Sequence, residues 1–105
     1  MNSYFVYIMG NQKPVIYVGV TNNLIRRVGE HKLGAIAGFS KNYKTYKLLY
    51  FEETSSVEEA IKREKQLKNW HRDWKLNLIC NSNPDLIDLS LDWDYFQSGP
   101  ETSSG

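Results

Sequence analysis

The feature that most constrains this sequence is a pair of aromatic and β-branched runs near its start. Tyr4-Phe5-Val6-Tyr7-Ile8-Met9 and Val15-Ile16-Tyr17-Val18-Gly19-Val20 are separated only by Gly10-Asn11-Gln12-Lys13-Pro14. Such side chains pack well on a pleated surface, whereas Gly, Asn and Pro supply turn chemistry, so the pattern predicts an antiparallel hairpin. With residues 10–14 as its loop, Tyr7 faces Tyr17 across the ladder and both hydroxyls lie on one face.

Downstream, Thr21-Asn22-Asn23 offers helix-capping oxygens, and Leu24 to Lys32 reads as a short helix that stops at Gly34. Its stripe from Leu24 runs through Arg27, Val28 and His31, placing a cation and an imidazole beside an apolar face. Residues 33–45 read as a loop carrying Lys41, Lys44, Phe39 and Tyr43, and Tyr46 to Glu52 as a third strand. Ser55 and Ser56, each three residues before a glutamate, give two overlapping capping boxes for the longest helix, residues 56–70. Its stripe is Val57, Ala60, Ile61, Glu64, Leu67 and Lys68, and a carboxylate inside an apolar stripe is a local rule violation that calls for a reason. His71-Arg72-Asp73 is expected to break that helix before a short final one at Trp74 to Ile79. Leu86, Ile87, Leu89, Leu91 and Trp93 then anchor a tail whose Ser/Gly/Pro-rich end, residues 98–105, is expected to be disordered.

The 105 residues suit one small α/β body with one hydrophobic core. One cysteine, Cys80, allows no internal disulfide and has no companions at zinc spacing. No apolar run is long enough to cross a membrane and no signal peptide opens the chain, so the reading is cytoplasmic, with no membrane partner. The net charge of +1 argues against a polyanion partner only until it is divided. Residues 1–80 hold all thirteen bases against seven acids, a balance of +6, and residues 81–105 hold five acids and no base.

Tyr7, Tyr17, Arg27, His31 and Glu64 would converge if both helix stripes pack on the sheet. A carboxylate, a guanidinium and phenols on a basic surface suit phosphodiester hydrolysis: the carboxylate holds a divalent ion, the guanidinium meets phosphoryl oxygens, and a phenol orients or deprotonates water. Each also has a plain structural reading. Strand tyrosines pack, a helix arginine snorkels, a histidine caps or edges its helix, and Glu64 pairs with Arg63 or with Lys68 at the favourable i+4 spacing.

Val6-Tyr7-Ile8, then Tyr17-Val18-Gly19, Asn23-Leu24-Ile25-Arg26-Arg27, Glu30-His31 and Arg63-Glu64-Lys65-Gln66-Leu67-Lys68-Asn69-Trp70 resemble the GIY-YIG nuclease superfamily. Within it, the chain is similar to a small stand-alone bacterial branch related to the nuclease domain of the nucleotide-excision-repair incision subunit. The resemblance implies a small three-stranded antiparallel sheet flanked by helices, with residues 1–80 as the nuclease-like domain and residues 81–97 as an acidic extension packed on it through Leu86, Leu89 and Trp93. It implies cleavage of DNA with a single Mg²⁺ or Mn²⁺ ion. Tyr7 matches the general base, Tyr17 the second tyrosine, Arg27 the phosphate contact and Glu64 the metal-ligating carboxylate, while His31 supports Tyr7 or the substrate. Two departures stand out. The first triad lacks its glycine, and Val20 replaces a lysine that would help ionise the tyrosine, leaving Arg27 or the metal to do so.

The leading expectation is a metal-dependent endonuclease acting on DNA, structure-selective or non-specific, with RNA left open and targeting by another protein allowed. The alternative is a catalytically weak or inactive nucleic-acid-binding module of the same fold. For either, Lys41, Lys44, Arg63, Lys68, Arg72 and Lys75, interleaved with Tyr43, Trp70 and Trp74, form the expected phosphate-and-stacking surface.

Overall fold

The structure, a computed structural model, describes residues 3–10, 16–32, 47–91 and 93. Strand β1 (Tyr4–Gly10), strand β2 (Ile16–Thr21), helix α1 (Leu24–Lys32), strand β3 (Lys47–Thr54), helix α2 (Val57–Asn69) and helix α3 (Arg72–Ser82) follow one another along the chain. Both neighbours of β1 run antiparallel to it, giving the sheet order β2-β1-β3 and the expected three-stranded α/β architecture.

Strand alternation divides the interior into two layers. Val6 and Ile8 face Val18, Leu49, Ala60, Leu67 and Ile79, so α2 and α3 cover that side. Tyr7 and Met9 face Leu24, Val28 and Leu48, so α1 covers the other, joined by Leu89 and Trp93 from beyond α3. An irregularity between Ile8 and Met9 shifts the β3 register, so the neighbours Leu49 and Tyr50 both join the Val6 and Ile8 layer while Leu48 joins that of Tyr7 and Met9.

The helix ends follow capping chemistry. The Asn23 side-chain oxygen accepts from Arg26 N–H at 3.1 Å to open α1, and Thr21 Oγ1 accepts from Asn23 N–H at 3.0 Å. Of the two capping boxes, Ser56 is the one used, its hydroxyl accepting from Glu59 N–H at 3.2 Å. Two expectations need correcting. The face of α2 turned to the sheet runs through Ala60, Glu64 and Leu67, leaving Val57 and Ile61 at 42% and 41% exposure, because Ala60 lets the helix approach where a larger side chain would hold it off. The break between α2 and α3 falls at Trp70 and His71, both extended, and Arg72 and Asp73 already belong to α3. Asp73 in a first turn suits the helix dipole, which favours starting there. The boundary expected at residue 80 falls inside α3.

Beyond α3 the chain is tied to β3. Asn83 donates to Leu49 O at 3.1 Å and Leu89 N–H to Leu48 O at 2.8 Å. Asp88 accepts from Leu48 N–H at 3.1 Å and pairs with Lys32 at the end of α1. Leu86, expected to pack, is 37% exposed. Residues 98–105, expected to be disordered, lie outside the described residues.

Candidate active site

Tyr7 lies in the central strand with Gly19 opposite it on β2 and Phe51 opposite it on β3. The expected pairing of Tyr7 with Tyr17 is corrected: the register is two residues further along, and Tyr17 pairs with Met9. The reason is steric. A Cβ on Gly19 would stand 2.5 Å from the Tyr7 hydroxyl, 2.6 Å from its Cζ and 2.9 Å from Cε1 of Tyr17, so the Tyr7 ring crosses β2 where only glycine leaves room. An even offset keeps both tyrosines on one face, with ring centroids 6.2 Å apart.

α1 lays His31 edge-on against both rings, at 5.6 Å from Tyr7 and 4.9 Å from Tyr17. The Tyr7 hydroxyl lies 3.0 Å from His31 Nε2, and both residues are 1% exposed. Burial, and after it the Arg27 charge, pushes the His31 pKa down to about 4, so the imidazole is neutral at pH 7, and in the tautomer that carries its proton on Nδ1 the Nε2 atom accepts from the phenol. Burial and the proximity of Tyr17 push the Tyr7 phenol well above its ordinary range, against a smaller opposing pull from Arg27. At Tyr7 burial outweighs the pull of the Arg27 guanidinium.

Arg27 stands one turn before His31 and is half-buried. Its Nε is buried without a hydrogen-bond partner among the described residues, the Glu30 carboxylate lying 3.5 Å away. A buried guanidinium N–H with no acceptor is uncommon, and it suits an anionic oxygen arriving from outside.

Glu64 comes from the opposite layer, on the α2 stripe between Ala60 and Leu67. Its side chain is 14% exposed and its Oε2 pairs with Lys68 Nζ at 2.7 Å, which is the i+4 partner of the structural reading. Oε1 has no partner among the described residues. No group of three His, Cys, Asp or Glu side chains gathers among the described residues.

The expected basic surface is partly committed elsewhere. Arg63 grips Glu52 with Nε at 3.1 Å from both carboxylate oxygens and Nη2 at 2.8 Å, donates to Gln66 at 2.7 Å, and stands 5.4 Å from the Trp70 ring. The Tyr50 hydroxyl also donates to Glu52. Burial and this bond push the Tyr50 pKa up to about 12. Burial alone would raise the Glu52 carboxyl, but bonds from Arg63 and Tyr50 hold it below the usual range. Lys68 is engaged by Glu64, and Lys75 Nζ reaches Lys68 O at 3.4 Å. Arg72 is exposed at the start of α3, and Lys41 and Lys44 lie outside the described residues. Gly19 and Glu52 were not among the sequence candidates. The signal for Gly19 was a glycine inside a strand, which often marks close backbone approach; Glu52 carried no local signal, since its partner lies eleven residues away on another element.

Residues 3–77 match the GIY-YIG catalytic domain. A UPF0213 protein of Staphylococcus haemolyticus is 34% identical over 79 residues, covering 75% of this chain and 96% of its own length. A UPF0213 protein of Syntrophus aciditrophicus is 35% identical over 88 residues, covering 83% of this chain and all of its own. The solution NMR structure of a UPF0213 protein from Bacillus halodurans, 24% identical, shares the fold at a TM-score of 0.54 over 86% of this chain and 97% of that one. The chain therefore belongs to the GIY-YIG family, with UPF0213 proteins as relatives of similar length.

Proposed function

We propose that this protein is a divalent-metal-dependent endonuclease that hydrolyses DNA phosphodiester bonds. The observation that carries this reading is the 3.0 Å contact between the Tyr7 hydroxyl and His31 Nε2, beside Tyr17 and one turn from Arg27, whose Nε is ion-paired with Glu30 but makes no hydrogen bond among the described residues. A free tyrosine with a pKa near 10 would be only about 10⁻³ ionised at pH 7, and burial lowers that fraction further. The neighbouring imidazole removes the difficulty. As water attacks phosphorus, it gives its proton to the Tyr7 oxygen while the phenolic proton passes to His31 Nε2; Tyr7 is the relay and His31 the proton acceptor. Arg27 Nε donates to a phosphoryl oxygen as its charge builds, and Tyr17 holds the ring pair in place across the ladder.

Glu64 fits a hard divalent ion of the Mg²⁺ or Mn²⁺ kind. Such ions are often held by one or two carboxylates, with water and phosphate oxygens completing the shell, and Glu64 offers an unpartnered Oε1. When bound there, the ion supplies Lewis-acid stabilisation of the phosphate and its leaving oxygen. Lys68 Nζ, 2.7 Å from Oε2, holds the carboxylate in place.

The decisive experiment is nicking of supercoiled plasmid with Mg²⁺ or Mn²⁺, run beside branched, flapped, single-stranded and duplex substrates and beside Glu64→Ala. Glu64→Ala is expected to reduce cleavage by roughly 10²- to 10⁴-fold; equal activity in both proteins would overturn the reading. The second reading, a binding module without turnover, draws on Val20 and on the unionised Tyr7. It requires salt-dependent DNA binding that survives Glu64→Ala, with no cleavage under either ion.

A further inference from the structure

The face that carries Tyr7 has a second opening. Phe5, two residues before Tyr7 on β1, meets Phe51 edge-on at 6.4 Å, and Phe51 meets Trp93 at 6.2 Å. With Leu24 and Ile25 of α1 these rings wall an open pocket of about 320 Å³, rimmed by Asn22 and Asn23 and, among the described residues, lined by no charged side chain. Phe51 and Ile25 are 40% and 50% exposed, so apolar surface of both the sheet and α1 is open to a ligand at this pocket. The Asn23 oxygen caps α1. Its amide nitrogen and the whole Asn22 amide have no partner among the described residues.

We infer that this pocket takes an unpaired nucleobase of the nucleic-acid substrate, an inference that rests on the nuclease reading above. Aromatic walls offer a base the stacking it loses on leaving a helix, and a free carboxamide presents both a donor and an acceptor to a base edge. Position agrees with chemistry. Phe5 and Tyr7 share a face two residues apart, about 7 Å along the strand, so a base in the pocket sits next to a phosphate at Tyr7. Arg26 and Arg27 follow directly on α1, where the phosphates flanking that base would pass. The pocket opens on the sheet face over the central strand, which offers no free backbone edge to a peptide. The consequence is selectivity for bulges, flaps and junctions over intact duplex, because only there is a base cheaply unstacked.

The test measures binding without metal, so that cleavage does not intervene. Two duplexes are compared by anisotropy and 2-aminopurine emission, one carrying a single unpaired 2-aminopurine and one fully paired. The wild-type protein is expected to favour the unpaired base about tenfold or more and to quench its emission, and Phe51→Ala to abolish most of that preference. Asn22→Ala, on an exposed loop residue, should reduce it several-fold with unchanged thermal unfolding, which keeps the test valid if Phe51→Ala folds poorly. Equal affinity for the two duplexes, or a preference untouched by both variants, overturns the inference. Glu64-dependent nicking alongside equal affinities fells the pocket and leaves the nuclease reading standing, whereas loss of both nicking and DNA binding fells the two together. A preference that emerges only after truncation beyond Trp93 would mean that the chain's own end fills the pocket, and overturns the inference for the full chain.

Discussion

The Tyr7 hydroxyl and the His31 imidazole, twenty-four residues apart in sequence, meet at 3.0 Å, both residues being buried. Burial moves their pKa values in opposite directions, the phenol up and the imidazole down, so the resting pair is a neutral phenol beside a neutral imidazole. Groups that pass a proton as a unit fail as a unit. Tyr7→Phe and His31→Gln should each reduce plasmid nicking by roughly 10²- to 10⁴-fold, and the double variant should be little worse than either. Losses that multiply in the double variant would show independent roles.

Gly19 is the position on which this geometry depends. Gly19→Ala places a methyl group 2.5 Å from the Tyr7 hydroxyl, against an aromatic ring that is itself enclosed. The ring must shift away from His31, with a stability loss of about 1–3 kcal/mol and a fall in nicking close to that of Tyr7→Phe. Thermal unfolding and the nicking assay check both. Wild-type behaviour in each would mean that the site tolerates a displaced phenol.

The imidazole also sets a pH dependence. His31 titrates near pH 6.5 in the unfolded chain and near pH 4 when folded, so between those values the unfolded state binds the extra proton. Its contribution is complete above about pH 6.5 and is lost as pH falls toward 4, amounting to about 3 kcal/mol. Urea unfolding at pH 7 and pH 4.5 should show a smaller drop for His31→Gln than for wild type. An identical drop would assign the acid sensitivity to carboxylates instead.

Much of the fold was legible because its signals are local. Strand alternation, the Asn23 and Ser56 caps and the Leu24-Val28-His31 stripe each follow from a few neighbouring residues, and the structure shows all of them. Hairpin register was misread because loop length alone fixed it in the sequence, whereas the Tyr7 ring crossing Gly19 fixes it in the molecule. Val57 and Ile61 were misassigned to the core because periodicity locates an apolar stripe but not which flank of it touches the sheet. The state of Tyr7 was beyond reach, since it depends on how deeply one hydroxyl is buried.

Arg63 illustrates the same gap for charge. Read along the chain it is one cation in a basic run; in space it is spent on Glu52, Gln66 and the Trp70 ring. Arg63→Ala should therefore lower stability by about 1–3 kcal/mol, leaving Glu52 half-buried and without its cation, while the salt dependence of DNA binding changes little. Arg72→Ala, on the exposed start of α3, should reduce the salt slope by about one. The reverse pattern would return Arg63 to the nucleic-acid surface.

Asp88 decides how the acidic end of the chain can be tested. Its carboxylate accepts from Leu48 N–H at 3.1 Å, from Ser90 N–H at 3.0 Å and from Ser90 Oγ at 2.6 Å, and it pairs with Lys32 beside His31. Burial alone would raise its pKa, but these bonds hold it below the usual carboxylate range. Truncation after Asn83, which charge alone suggests would tighten DNA binding, also removes this latch together with Leu89 and Trp93 from the core layer around Tyr7. It should unfold the site rather than unmask it. Asp88→Ala should lower stability by about 2–4 kcal/mol and weaken nicking through α1. The charge effect itself is better isolated with Asp92→Asn and Asp94→Asn, which should raise DNA affinity at low salt. A truncated protein with a wild-type midpoint would show that the latch carries none of the fold.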